Sequence, residues 1–105
     1  MQGLHHLTLN GADRQTSISF WYGLLGMPLV FEQPNLDNPS EDHLYFDPGD
    51  GRLITIFTDE TRKQELNCKP VSSRAGTVHH LAFTVSQATF EQIEGRLDRR
   101  KIQHS

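Results

Sequence analysis

The chain has a single cysteine, Cys68, among its 105 residues. No internal disulfide can form, and an oxidising compartment is not indicated. The N-terminus lacks a charged stretch followed by an apolar one, and no apolar run approaches the roughly 20 residues that a membrane helix requires. The expected setting is the cytoplasm, with no membrane partner. Positive charge is also scarce: 10 lysines and arginines stand against 13 acidic residues, for a net charge of −3. Without a broad basic field, nucleic acid and anionic lipid are poor partners. These absences point to a soluble chain acting on a small molecule. Its length allows one small domain with a modest core, which association as a homodimer would enlarge.

Residues 4–9 alternate, with His5, Leu7 and Leu9 on one side and Leu4, His6 and Thr8 on the other, and read as a first strand. Asp13 can cap a helix, along which Ile18, Trp21, Tyr22 and Leu25 recur at helical spacing until Gly26 offers a left-handed stop. That spacing predicts a core role for Trp21 and Tyr22. Strands are predicted at 29–32, at 43–47 and, after the Pro48-Gly49-Asp50-Gly51 turn, at 52–58. The order is βαβββ, a first unit over about residues 3–58. Residues of about 59–75 carry mixed charge and Pro70 without a sustained period, and read as a linker.

The pattern then restarts. Gly76-Thr77-Val78-His79-His80-Leu81-Ala82-Phe83 resembles Gly3-Leu4-His5-His6-Leu7-Thr8-Leu9, the double histidine recurring 74 positions later. A second strand, at 78–85, and a following helix are expected, with Phe90, Ile93 and Leu97 at helical spacing. Gly95 weakens that helix by roughly 1 kcal/mol. This second unit, about 76–105, is partial: the three strands that would complete the repeat have no counterpart before Ser105. Either further sequence or another chain is expected to complete it.

Side chains alternate across a strand, so the second histidine of each pair faces away from the apolar Leu7/Leu9 or Leu81/Phe83 side. His6 shares its face with Thr8, and His80 with Ala82 and Thr84, while His5 and His79 fall on the side expected to be helix-covered. Neutral imidazole on a rigid strand suits iron, manganese, zinc or nickel. A lone histidine in a strand is ordinarily a hydrogen-bonded structural residue, but the repetition makes His6 and His80 the candidate metal ligands. His43 and Tyr45 share a face of the third strand, where His43 is a candidate acid or base and Tyr45 a candidate lining residue. His104 and the Arg99-Arg100-Lys101 run read as a solvated helix end. Cys68 has no base beside it in sequence and is not read as a nucleophile.

Together with Phe20-Trp21-Tyr22-Gly23-Leu24-Leu25-Gly26-Met27, the two double-histidine segments resemble the vicinal-oxygen-chelate superfamily, which includes glyoxalase I, extradiol dioxygenases, fosfomycin-resistance enzymes and metal-free bleomycin-binding proteins. The resemblance implies an α+β fold of paired βαβββ units, a curved mixed sheet with helices on its outer face, here with the second unit incomplete. The stretch from Asn35-Leu36-Asp37-Asn38-Pro39-Ser40 to His43-Leu44-Tyr45-Phe46 is most similar to the ring-cleaving dioxygenase branch. By position, the resemblance puts the metal histidines at His6 and His80, while the glutamate expected on the last strand has no counterpart before Ser105. Glyoxalase I carries a carboxylate at about Thr55, so a four-ligand site of that kind is disfavoured and Thr55 becomes a pocket candidate. The implied activity is extradiol ring cleavage with Fe(2+). A lyase, isomerase or thiol transferase using Mn(2+), Zn(2+) or Ni(2+) is the alternative enzyme, and a metal-free ligand-binding protein the non-enzymatic one.

Overall fold

The computed structural model describes residues 1–63 and 73–104. Cys68 and Pro70 lie outside the described residues. The chain divides into two compact units, Met1–Gln64 and Glu65–Ser105.

The first unit contains β1 (His6–Asn10), α1 (Arg14–Ile18), a π-helical continuation at Ser19–Leu24, β2 (Leu29–Pro34), β3 (Glu41–Phe46) and β4 (Leu53–Asp59). The strands form one mixed sheet in the order β1-β4-β3-β2, with β1 parallel to β4 and the other pairs antiparallel. This is the βαβββ order expected from the sequence. Alternation sorts the residues onto two faces: Leu44, Phe46, Ile54 and Ile56 turn to one side and, with Met27, form the buried core. Leu7, Leu9, Ile18, Trp21, Leu25 and Leu29 pack against that cluster, so the helix covers this face and leaves the other open.

The helix begins where the carboxylate of Asp13 accepts the Thr16 amide at 3.3 Å. Hydrogen bonds from Thr16 also hold the Asp13 carboxyl below the usual carboxylate range. From Ser19 the bonding widens, the Leu25 amide reaching the Phe20 carbonyl, until Gly26 at φ +80° ends the helix as expected. The wider turn corrects one expectation. Trp21 joins the core, its ring 6.4 Å from Phe46, but Tyr22 is exposed, because i→i+5 bonding moves side chains around the helix from their i→i+4 places.

In the second unit, α2 (Gln87–Arg99) starts at Ser86, whose hydroxyl accepts the Thr89 amide at 3.1 Å. Phe90, Ile93 and Leu97 line a shallow depression of about 110 Å³ with Val85, Glu94 and His104. His104 contacts Asp98 at 2.9 Å. The strand expected at 78–85 is not formed. A strand exists through a partner's ladder, and no β pairing reaches these residues in the described part of the unit. Val78, Leu81, Phe83 and Val85 accordingly remain exposed.

Gly11 is where the chain leaves β1 for the helix, and a Cβ there would overlap Ile56 and press on Ser17. Gly11→Ala should therefore destabilise the first unit by about 1–3 kcal/mol, measured as a lower midpoint in urea unfolding.

Candidate functional site

The open face of the first sheet collects most of the residues singled out by the sequence. The pairing register sets them in rows across the strands. One row runs Phe31, Tyr45, Thr55, Thr8; the next runs Gln33, His43, Phe57, Asn10; His6 stands beside Leu53 at the β1 end. His6, Thr8, His43, Tyr45 and Thr55 thus share one face, as their alternation predicts.

His6 is exposed, and its Nδ1 lies 2.9 Å from His5 Nδ1. The two rings meet edge to face, with centroids 5.2 Å apart and planes at 82°. Arg52 Nε donates to the Leu4 carbonyl at 2.8 Å, and the Leu53 amide donates to the His5 carbonyl at 3.4 Å, tying the backbone ahead of β1 to β4. His79 and His80 repeat the side-chain geometry: Nδ1 atoms 2.9 Å apart, centroids at 5.1 Å, planes at 80°. The expectation that His5 and His79 sit under a helix is corrected. Both are exposed, since His5 precedes the strand and His79 is in none, so strand alternation does not govern either ring.

Tyr45 donates its hydroxyl to Gln33 Oε1 at 3.4 Å and lies 3.1 Å from His43 Nδ1. The other ring nitrogen of His43, Nε2, is buried and has no hydrogen-bond partner. Phe57 stacks on the His43 ring at 4.2 Å, and burial followed by repulsion from His6 pushes the His43 pKa down. The neutral imidazole is the favoured form.

Thr55 is fully buried, and its hydroxyl is 2.6 Å from that of Thr8 and 3.4 Å from the Leu7 carbonyl. It braces β1 against β4 at the centre of the open face. Phe57 and Phe31 also belong to this face and were not singled out from sequence. Counting in twos from Thr55 would have reached Phe57. Phe31 faces Tyr45 because the β2 register shifts between Leu29 and Phe31, a bulge that no turn residue announces.

The donor chemistry fits a divalent metal in part. His6 and His80 are exposed imidazoles, each with Nδ1 engaged by its neighbour and Nε2 in no hydrogen bond among the described residues. No group of three or more histidine, cysteine or acidic side chains suited to a metal occurs among the described residues, so a carboxylate partner for either histidine is not identified.

A profile of the Glyoxalase/Bleomycin resistance protein/Dioxygenase superfamily matches residues 3–96. The chain belongs to this superfamily. FosA of Serratia marcescens, a glutathione transferase, is 32% identical over 98 residues, covering 93% of this chain and 60% of FosA. MhqO of Bacillus subtilis, assigned as a ring-cleaving dioxygenase, is 39% identical over 56 residues, covering 53% of this chain but only 18% of MhqO. The chain therefore spans a fraction of the curated relatives it matches. Among solved structures, the fosfomycin resistance protein FosX of Listeria monocytogenes, crystallised with Mn(II), superposes on 100% of this chain and 74% of its own, with a TM-score of 0.65 at 15% identity. The α+β superfamily fold is thereby shown for the described residues.

The lowered His43 pKa fixes the sign of a pH effect. Because the folded state disfavours protonation, the neutral ring's contribution is complete above the ordinary histidine pKa and is lost as the pH falls through the lowered folded value. Denaturant unfolding at neutral and mildly acidic pH should show a smaller acid loss in His43→Phe than in the parent chain. An equal loss in both would show that His43 is not the group responsible.

Proposed function

We propose that this superfamily member is the histidine-bearing part of a divalent-metal enzyme acting on a small oxygen-bearing substrate, with His6 and His80 as metal ligands. The observation that carries the reading is the repeated His-His arrangement, each pair presenting one ring nitrogen bonded and the other open. Ferrous-dependent extradiol ring cleavage is the reaction proposed. The identity to MhqO and the aromatic open face around His43 support it.

A bound divalent ion supplies Lewis acidity toward a substrate oxygen and, where it is ferrous, a path for electrons to dioxygen. The chain's own residues would do the remainder. Phe31 and Phe57 give an aromatic ring an apolar face to lie against. His43, whose Nε2 is in no hydrogen bond, is the candidate acid–base group, and Tyr45, itself bonded to Gln33, contacts its Nδ1. Thr55 supports the floor of that face from beneath rather than offering its hydroxyl to a ligand.

The FosA match favours a second reading, because it extends over nearly the whole chain: thiol transfer to a small oxygen-rich molecule with Mn(2+), Zn(2+) or Ni(2+) as Lewis acid. Oxygen uptake with a catechol and hydroquinone panel on Fe(2+)-loaded protein, set beside glutathione consumption with fosfomycin on Mn(2+)-loaded protein, separates the two. Action in the cytoplasm as a homodimer completes the proposal. No helix among the described residues is long and apolar enough to cross a membrane.

His6→Ala and His80→Ala should each abolish metal uptake while changing stability by no more than about 0.5 kcal/mol, as expected for exposed side chains. Metal analysis of the purified variants beside their thermal unfolding checks both halves. Unchanged metal content in both would remove the site.

A further inference from the structure

We infer that His5 and His79 are positioning residues, each accepting at Nδ1 the Nδ1–H of the histidine that follows it, so that His6 and His80 are held with Nε2 bare. The inference rests on the reading of His6 and His80 as metal ligands and adds a role for the first member of each pair.

At 2.9 Å the two Nδ1 atoms of a pair are in hydrogen-bond contact. Two lone pairs would repel at that distance and two N–H groups would collide, so one ring carries its proton on Nδ1 and the other does not. The polarity follows from what the second histidine has to do. Were His6 the acceptor, its Nδ1 lone pair would be engaged and its proton would sit on Nε2, leaving no nitrogen for a metal. With His6 as donor, Nε2 keeps its lone pair, and His5 carries its own proton on Nε2 at the exposed side. The bond to one nitrogen thus selects the tautomer that makes the other a ligand.

The same contact occurs in both units although their backbones differ. His6 opens β1 and its predecessor is tied to β4, whereas His79 and His80 stand outside any strand. Distance, centroid separation and interplanar angle nevertheless agree closely between the pairs. The arrangement therefore originates in the adjacent rings themselves and does not depend on the sheet.

The test is the tautomer, read without metal. Long-range ¹H–¹⁵N correlation spectra of the ¹⁵N-labelled 105-residue protein, at a pH where imidazoles are neutral, should show Nδ1–H for His6 and His80 and Nε2–H for His5 and His79. His5→Asn places an amide oxygen near the former Nδ1 and should preserve the His6 tautomer. His5→Leu removes the acceptor and should release His6 toward Nε2–H. Zinc titrated against a chromophoric chelator should bind about ten- to a hundredfold more weakly to His5→Leu, and near the parent affinity to His5→Asn. A proton on His6 Nε2 in the parent protein, or a His6 tautomer unmoved by His5→Leu, overturns the inference. Zinc affinity lost in His6→Ala but retained in His5→Leu overturns the positioning role alone. Affinity retained in His6→Ala overturns the metal-site reading instead, whatever the tautomers show.

Discussion

The parallel pairing of β1 with β4 is the constraint on which the open face depends. β1 is first in the chain and β4 last in its unit, so their contact closes the longest loop in the sheet and is the entropically costliest to form. Once made, it sets Leu7 and Leu9 beside Ile54 and Ile56 in the core and leaves Thr8 beside Thr55 on the opposite side. A slip of one residue would exchange those sets, burying His6 and exposing two leucines. The Thr8–Thr55 hydroxyl contact and the Arg52 bond to the Leu4 carbonyl both work against such a slip.

Much of this was legible in the residues. The four strands and first helix of the opening unit followed from period-two and helical spacing, the Asp13 cap and the Gly26 stop, because local chemistry and tertiary packing agree there. The shared face of His43 and Tyr45 followed from alternation alone. Three features escaped for separate physical reasons. The π-helical widening that turns Tyr22 outward leaves no composition signal, since it is a change in bonding and not in residue type. The β2 bulge that brings Phe31 beside Tyr45 carries no glycine to mark it. The segment 78–85 has strand-like residues, but pairing is a property of two segments and one sequence repeat cannot supply the second.

The histidines show the same division. The place of His6 on the open face could be read from position, whereas His80 lies in no strand and has no sheet face; the His5–His6 and His79–His80 contacts could not be read either, because neighbouring residues in a strand ordinarily point to opposite sides. His5 lies just outside β1 and is free of that rule. The superfamily membership carries the fold across nearly the whole chain, while the reaction depends on groups that vary among relatives sharing that fold.

The buried hydroxyl of Thr55 bears on how such a face can change over evolutionary time. A carboxylate introduced there would enter a fully enclosed position facing the Leu7 carbonyl oxygen, with the Thr8 hydroxyl as its nearest donor. Burying that charge costs several kcal/mol before any ligand could repay it. Descent from this chain to a protein with an acidic group at position 55 therefore calls for a prior loosening of the β1–β4 seam. That order of events would leave its trace in intermediates altered first at Thr8.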